Sequence, residues 1–302
     1  MYVCIRLNAM KKMILPTLVA LIIVSCTESK DKRMEPEENQ AKQTKQDSTG
    51  GYAPVNGLKM YYEIHGNGTP LVLIHGGGST IQTSFGKILP LLAQHHRVIA
   101  VELQAHGHTA DRDSAESFEQ DANDVAALLA YLKINKADFL GFSNGGQTAM
   151  QIGISHADIV NKLILVSAFY KRDGTMKGFF EGMENANLGN MPAPLKEAYL
   201  AINNDSTGLQ RMFEKDRGRM LRFKDWRDED LASIKAPTLI IAGDQDIVTP
   251  AHVVKMSQVI PNAQLMILPG THGSFIGEVC AAKEGSKMPE FTVNAVEEFL
   301  GR

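Results

Sequence analysis

Gly141-Phe142-Ser143-Asn144-Gly145-Gly146 has the pattern of a nucleophile elbow, a sharp turn that holds a serine between a strand and a helix. Residues 136–140 before it form a short strand-like segment, and residues 144–156 after it carry apolar side chains at mixed helical spacing. Gly141 and Gly145 are the small residues that let the strand and the helix approach. Because an ordinary glycine-rich turn has the same short pattern, the assignment depends on the rest of the chain.

Two later segments end in the acidic and basic groups that a serine nucleophile needs. Residues 237–242 and 264–268 are continuous apolar runs, which predicts two buried strands. The first run is followed by Asp244 and Asp246, and the second by His272. The order serine, acid, histidine is the order that the elbow motif requires. Because the carboxyl ends of parallel strands meet at one edge of a sheet, we expect these groups to converge there.

A glycine-rich loop completes the pattern. His75-Gly76-Gly77-Gly78 follows the predicted strand at residues 71–74. With the elbow, the acid and the histidine, this loop makes the chain resemble the α/β-hydrolase superfamily of serine hydrolases over nearly all of residues 52–302. The resemblance implies an α/β fold, with a doubly wound, mostly parallel sheet and a helical cap inserted at about residues 169–230. The domain is expected to span residues 51–302.

The resemblance also implies roles for the three converging side chains. Ser143 would be the nucleophile, His272 the general base and then acid, and Asp246 the group that orients the imidazole and stabilises its charged form. The chemistry requires each of these, because a hydroxyl is a poor nucleophile until a base within hydrogen-bond reach takes its proton. Asp244 is expected to be a turn residue, on motif position alone.

In the family, two backbone N–H groups stabilise the oxyanion, and here they would belong to Gly77 and Asn144. A donor of this kind contributes about 3–4 kcal/mol to the transition state. A phosphate-binding glycine loop is the rival interpretation, but no Gly-Lys-Ser/Thr sequence follows the glycines. We expect His75 to orient this loop and to take no part in catalysis.

Other polar residues have weaker patterns. Glu102, Asp158 and Asp173 are expected on the surface or at helix caps. His106 and His108 have a spacing that would let both reach one ion, but no cysteine or acidic cluster accompanies them. A metal site is therefore disfavoured, and we expect no metal or cofactor.

The N-terminal segment differs from the rest of the chain. Lys11-Lys12 precedes a short apolar stretch at residues 13–24, which predicts a secretory signal too short to span a bilayer. Residues 23–26, Ile-Val-Ser-Cys, resemble the lipobox of bacterial lipoproteins, which implies a signal peptide at residues 1–25 and an acylated Cys26. The protein would then be exported and anchored to a bacterial membrane. Met10 is an alternative start.

Residues 26–50 are rich in Lys, Glu, Asp, Gln and Ser and nearly free of large apolar side chains. Such a segment cannot bury a core, so we expect a disordered tether. The chain has three cysteines, Cys4, Cys26 and Cys280. Only Cys280 lies in the predicted domain, where we expect a partly buried thiol that is not a nucleophile. The net charge of −3 gives no electrostatic case for nucleic-acid binding.

The remaining elements alternate between strand and helix, which favours a parallel sheet covered on both faces. Further strands are predicted at residues 58–65, 98–103 and 162–167, and a closing helix at 291–300. Ser117 and Gln120 have the spacing of a capping box that opens another helix. In the cap region, most of the large side chains are expected to pack on the core and a few to line the pocket; they are Met176, Phe179, Phe180, Met183, Met191, Met212, Phe213, Met220, Phe223 and Trp226.

The resemblance implies a serine hydrolase that acts on a small-molecule carboxylic ester through an acyl-enzyme intermediate. Two alternatives use the same triad: a lactonase, and a carbon–carbon bond hydrolase of the meta-cleavage type. A ligand-binding or sensing protein with little turnover is the alternative outside enzymology, because a fold alone never fixes function.

Overall fold

Residues 49–301 are described by the computed structural model. The predicted signal peptide at residues 1–25 and the predicted lipidation site Cys26 lie outside the described residues, as does the tether except for its last two positions. Thr49 and Gly50, at those positions, open the first strand. The first strand therefore begins two residues before the predicted domain start at residue 51.

Eight strands form a single sheet in the order β1-β2-β4-β3-β5-β6-β7-β8. The β1/β2 and β2/β4 pairs are antiparallel, and the other five pairs are parallel. The prediction of a mostly parallel sheet is confirmed. The strands are β1 (Thr49–Val55), β2 (Leu58–His65), β3 (Thr69–Ile74), β4 (His96–Val101), β5 (Ala137–Phe142), β6 (Val160–Val166), β7 (Thr238–Gly243) and β8 (Ala263–Leu268).

Helices cover both faces of this sheet. They are α1 (Ile81–Phe85), α2 (Leu89–Leu92), α3 (Phe118–Tyr131), α4 (Asn144–Ser155), α5 (Phe179–Asn185), α6 (Ala193–Asn203), α7 (Ser206–Arg222), α8 (Asp228–Ala232), α9 (Pro250–Val259) and α10 (Met288–Leu300). One buried cluster joins α3, α4, α8 and α9 to the sheet, and another joins α1, α2 and α10 to its opposite face. Alternate residues of β3 belong to different clusters, because successive side chains of a strand point to opposite faces. This arrangement is the doubly wound fold.

The chain between β6 and β7 contains α5, α6 and α7, which form the cap predicted at about residues 169–230. A small apolar cluster, which includes Leu195, Leu209 and Met212, packs α6 against α7. Among the described residues, every helix is too short or too polar to cross a bilayer.

Two helix starts differ from the sequence-based expectation. The Ser117 side chain accepts from the backbone N–H of Gln120 at 3.1 Å, but the Gln120 side chain donates to Asp124 at 2.9 Å. The predicted capping box is therefore only half formed, because a carboxylate one turn later takes the amide. The closing helix begins at Met288, three residues earlier than predicted, with Pro289 in its first turn, where a missing N–H costs nothing.

The two glycines beside Ser143 are required by close backbone contacts. A side chain on Gly145 would overlap the carbonyl oxygen of Ile74, and one on Gly141 would overlap the carbonyl oxygen of Gly145. Helix α4 therefore packs directly on the backbone of β3 and β5 at this point. This close approach is what the elbow pattern predicted.

Replacing Gly145 with alanine is expected to lower the free energy of unfolding by about 3 kcal/mol, since α4 would have to move off the sheet. Gly182, exposed in α5 with open space around its Cα, is the matched control. Gly182→Ala should raise the free energy of unfolding by about 0.5–1 kcal/mol. Urea titration of the purified proteins measures both values, and equal midpoints for Gly145→Ala and the wild type would contradict the packing argument.

Candidate active site

Ser143 lies on the turn between β5 and α4 with a backbone conformation that side-chain-bearing residues rarely adopt. Its φ is 53° and its ψ is −122°. Such a conformation costs on the order of 1–3 kcal/mol and persists only where the surroundings hold it. Here the Ser143 N–H donates to Val166 O at 2.9 Å, and Ser143 O accepts from the Gly146 N–H at 2.7 Å. The strained turn fixes the position of the hydroxyl at the edge of the sheet.

The three residues predicted from strand ends are brought together. Ser143 Oγ lies 3.0 Å from Nε2 of His272, and Nδ1 of His272 lies 2.7 Å from Oδ1 of Asp246. These groups follow β5, β8 and β7 respectively. The hydroxyl, imidazole and carboxylate thus form one continuous line of hydrogen bonds.

The carboxylate at the end of this line is fully buried and held by several donors. Asp246 Oδ2 accepts from Ser167 Oγ at 2.6 Å and from the Gly243 N–H at 3.1 Å. Burial acts to raise the pKa of Asp246, but the hydrogen bond and charge of His272 keep it below the usual value. Asp246 is therefore an anion that faces the imidazole.

Ser167 was not singled out in the sequence. It follows β6 directly and has a φ of 54°. Its position at the carboxyl end of a predicted central strand was the signal that could have revealed it. By contrast, Asp244 accepts from the Gly270 N–H at 2.8 Å and serves the turn, as predicted.

The ring of His75 fixes the glycine loop at residues 76–78 through hydrogen bonds. Its Nε2 accepts from the Leu103 N–H at 3.0 Å, so Nδ1 carries the proton and donates to Gly76 O at 2.7 Å. Burial, together with the charge of His106, lowers the pKa of His75 to about 3, so the ring is neutral. His75 thus orients the loop, as expected.

The contact at Gly76 O determines the direction of the next N–H. In a planar trans peptide the C=O and the N–H point in opposite directions. Since Gly76 O points towards the buried His75, the N–H of Gly77 points the other way, and Gly77 lines the cavity above Ser143. Within residues 49–301, neither this N–H nor the N–H of Asn144 donates a hydrogen bond. Two free donors therefore flank the serine hydroxyl.

A family model described as alpha/beta hydrolase fold matches residues 69–279, well over half of the chain. The chain belongs to the α/β-hydrolase family.

Relatives of this α/β-hydrolase include a 2-hydroxy-6-oxo-6-(2'-aminophenyl)hexa-2,4-dienoic acid hydrolase of Metapseudomonas resinovorans, 23% identical over 87% of this chain and 96% of the relative. A solved serine hydrolase involved in carbazole degradation has a TM-score of 0.69 at 22% identity, covering 84% of this chain and 99% of its own. The enol-lactonase of Burkholderia xenovorans has a TM-score of 0.64 at 22% identity, with 83% and 100% covered. At these identities the structural likeness shows the fold alone.

The cap of the α/β-hydrolase encloses a cavity of about 520 Å³ above Ser143 and His272. Six of the ten large cap side chains named above line it, so the expectation that only a few would do so is wrong. These six are Phe179, Met183, Met191, Met212, Phe213 and Met220. Phe180, Phe223 and Trp226 pack on the core instead, and Met176 is exposed.

The two histidines considered for metal binding have separate partners. His106 Nε2 lies 2.9 Å from Asp216, a residue of α7, and His108 Nδ1 lies 2.9 Å from Glu102. Between residues 49 and 301, no group of three or more potential metal ligands converges on one point.

Glu102 is not a surface residue. It is 2% exposed and accepts from the His108 N–H at 2.6 Å and from the N–H of Ile81, the first residue of α1, at 3.4 Å. The surface expectation is wrong because the turn at residues 106–109 folds back over this carboxylate, although the contact with α1 is a helix-cap role. Asp158 and Asp173 are exposed, as expected.

Cys280 is an exposed residue, more open to solvent than predicted. It sits after β8 on a short segment outside the core, and its N–H donates to Glu278 at 2.8 Å. Desolvation of the thiol and the nearby Glu278 carboxyl raise the pKa of Cys280 to about 12. The thiol is therefore protonated at neutral pH, which agrees with the expectation that it is not a nucleophile.

Proposed function

We propose that this α/β-hydrolase is a serine hydrolase that cleaves small or medium carboxylic esters through an acyl-enzyme intermediate. The observation that carries the proposal is the hydrogen-bonded line from Ser143 through His272 to Asp246, beside two N–H groups without a partner among the described residues. A binding site alone requires no base within reach of a serine hydroxyl.

In the proposed reaction, His272 Nε2 takes the proton of Ser143 as Oγ attacks the ester carbonyl. The N–H groups of Gly77 and Asn144 hold the developing oxyanion. His272 then gives its proton to the leaving alcohol, and the acyl group stays on Oγ. A water molecule, deprotonated by His272, repeats the sequence and releases the acid. Asp246 remains ionised and stabilises the imidazolium.

The cavity supports a substrate with an apolar group. Its volume of about 520 Å³ and its methionine and phenylalanine walls suit a medium-sized acyl or alkyl chain. Methionine side chains adapt to different shapes, so a range of related esters is expected to fit.

The relatives support a second candidate. An enol-lactonase and a dienoic acid hydrolase are among the proteins similar to this chain. A lactone is a cyclic ester and would react by the same steps, and the meta-cleavage carbon–carbon hydrolases use the same triad.

The proposal is tested with a fluorophosphonate probe, a graded series of p-nitrophenyl acyl esters and a series of simple lactones. Labelling of Ser143 together with ester turnover is the expected result. Turnover of lactones but not of open-chain esters would favour a lactonase. Labelling without turnover of either series would favour carbon–carbon cleavage or a ligand-sensing role, and an unlabelled Ser143 would overturn the serine hydrolase assignment.

We further propose that residues 1–25 are a lipoprotein signal peptide and that Cys26 is acylated, so that a tether, which ends where β1 begins at Thr49, holds the hydrolase on a bacterial membrane. The support comes from the sequence of the N-terminal segment: a basic pair, a short apolar stretch and a cysteine after Val24-Ser25. Two or more acyl chains give stable anchoring where a single chain does not.

Replacing Cys26 with alanine is expected to move the protein from the membrane fraction to the soluble fraction of the expressing bacterium. Cys280→Ala is the matched control and should leave the protein with the membrane, because that thiol belongs to the folded domain. Immunoblots of separated fractions measure the distribution. Continued membrane association of Cys26→Ala would contradict the lipid anchor.

A further inference from the structure

Asp216, in the cap helix α7, reaches down to the glycine loop and the elbow. Its Oδ2 accepts from the Gly78 N–H at 2.5 Å and from Nε2 of His106 at 2.9 Å. Its Oδ1 accepts from the side-chain amide of Asn144 at 3.2 Å and from the Arg219 guanidinium. One carboxylate therefore contacts both segments that supply the free N–H groups beside Ser143.

This carboxylate is ionised. Burial acts to raise the pKa of Asp216, but His106 and Arg219 hold it well below the usual value. Burial likewise acts to lower the pKa of His106, but the carboxylate of Asp216 raises it to about 9. At neutral pH the Asp216 anion lies between the cations of His106 and Arg219, and Arg219 also pairs with Asp121 at 2.6 Å and lies 3.7 Å from Glu116. The hydrogen bonds of Asp216 to the loop and the elbow are charge-assisted, which makes them stronger than those between neutral groups.

Asp216 has no acceptor site left for a substrate. Each oxygen of a carboxylate has two lone pairs, and both oxygens of Asp216 already receive two donors. Although Asp216 lines the cavity, its contacts are made with the protein. Its role therefore acts through the groups that it holds.

The peptides on either side of Gly77 are held by different partners. His75 holds the preceding peptide through Gly76 O, and Asp216 holds the following peptide through the Gly78 N–H. A side chain on Gly77 would displace the side-chain amide of Asn144, which Asp216 holds. Gly78 has a φ of 67°, a conformation that glycine adopts without a steric penalty, so its own backbone does little to restrict the loop. The Gly78 N also lies 3.1 Å from His106 Nε2, so without Asp216 this end of the segment would keep only the longer contact to the His106 ring.

We propose that Asp216 is a positioning residue that completes the oxyanion hole from the cap, by fixing the Gly77–Gly78 peptide and the Asn144 side chain. This inference rests on the proposed roles of the Gly77 and Asn144 N–H groups. The two donors come from the core of the fold, but their alignment depends on a side chain of α7. The cap thus contributes to the chemical step in addition to enclosing the substrate.

The test compares Asp216→Ala and Asp216→Asn with Glu214→Gln, a matched control on the exposed side of the same helix, where Glu214 accepts from the Gln210 amide at 2.6 Å. The rate constant for phosphonylation of Ser143 by a fluorophosphonate is measured, because the adduct places a P=O oxygen in the oxyanion hole. Asp216→Ala should react about 10–100-fold more slowly, below the loss from deleting a donor outright. Asp216→Asn should lose less, since its amide oxygen still accepts from Gly78, and Glu214→Gln should match the wild type.

A second measurement separates positioning from general damage to the cavity. Phenylboronic acid forms a tetrahedral adduct with the serine that uses the oxyanion hole, whereas benzamide binds as a planar neutral molecule. In Asp216→Ala the dissociation constant of phenylboronic acid should rise about 10-fold or more, and that of benzamide should change less than about twofold. Equal losses for both ligands would overturn the positioning role.

Asn144→Ala covers the case in which Asp216→Ala leaves the buried His106 without its carboxylate and fails to fold; Arg219 would keep Asp121 at 2.6 Å. This variant removes one contact of Asp216 but keeps the backbone N–H and leaves no buried charge alone. It should slow phosphonylation about three- to tenfold, a fraction of the loss from deleting a donor. Wild-type rates in every folded variant would overturn the positioning role, whereas a wild-type protein that reacts with neither probe would overturn the proposed function, and this role with it.

Discussion

Replacing Ser143 with alanine is expected to lower kcat for ester hydrolysis by about a millionfold, the loss typical of a serine triad without its nucleophile. Alanine lacks only Oγ, whose hydrogen bond is to His272 Nε2. The backbone bonds of Ser143 to Val166 and Gly146 do not involve the side chain. The variant should therefore fold like the wild type while losing the attacking atom.

Steady-state kinetics on the best p-nitrophenyl ester measures this loss, and the melting temperature verifies the fold. Ser257→Ala on α9 is the matched control, since the Ser257 hydroxyl donates to the carbonyl of Val254 on its own helix at 2.8 Å. It should retain wild-type kcat. If Ser143→Ala kept more than about a thousandth of the wild-type rate, a value far above the residual rate of a serine-less triad, then another residue would have to be the nucleophile.

Replacing Asp246 with asparagine is expected to lower kcat by about ten-thousandfold without unfolding the protein. Oδ2 of Asp246 receives two close donors, Ser167 Oγ and the Gly243 N–H, whereas the backbone donor to Oδ1, Val248, is at 3.4 Å, so the asparagine carbonyl oxygen should take the Oδ2 position. The amide nitrogen would then face His272 Nδ1. Nδ1 would have to accept and Nε2 would carry the proton, so the imidazole could no longer deprotonate the serine hydroxyl.

Asp244→Asn is the control for this substitution. This substitution makes the same chemical change two residues away from Asp246. The asparagine keeps an oxygen that can accept from the Gly270 N–H. Its kcat should stay within about twofold of the wild type, because a surface substitution of this kind shifts energies by only a few tenths of a kcal/mol. A large loss in Asp244→Asn together with activity in Asp246→Asn would mean that the acid of the triad was assigned to the wrong aspartate.

The line of Ser143, His272 and Asp246 could be predicted because its determinants are local. The elbow needs small residues at fixed positions, and the acid and the base each follow an apolar run directly. Once the runs are taken as parallel strands, their ends have to meet. Sheet class and the order of the groups follow from the same patterns, whereas the cap region was implied by the resemblance to the family.

Asp216 is not evident from its immediate neighbours, because it lies in the charged run from Glu214 to Arg217. Met212 and Met220, four residues to either side, place it on the apolar face of a helix, and this spacing was the signal that could have revealed it. Only the way α7 lies across the sheet edge brings Asp216 to the glycine loop. Glu102 was misjudged for a similar reason, since its burial depends on a turn that closes over it and not on the residues beside it.

The expectation that only a few cap side chains line the cavity is wrong for another reason. A methionine or phenylalanine on an amphipathic helix has the same pattern whether it faces a packed core or an empty cavity. The difference lies in how far the cap helices stand from the sheet. The half-formed capping box at Ser117 is also invisible in the sequence pattern. The Gln120 amide can donate either back to the helix N-terminus or on to Asp124 in the same helix, and it donates to Asp124.

The bridge from α7 to the glycine loop has a consequence for protein engineering. Caps in this fold are attractive modules to exchange between homologues when a new substrate range is wanted. A chimera that received a foreign cap here would lose the carboxylate of Asp216, while the buried ring of His106, 1% exposed, would remain in the acceptor scaffold. The unit to transplant is therefore the cap together with the loop that contains His106. A library that varies only the six cavity-lining methionine and phenylalanine side chains would keep Asp216 in place, and so preserve the catalytic geometry better than exchange of the whole cap.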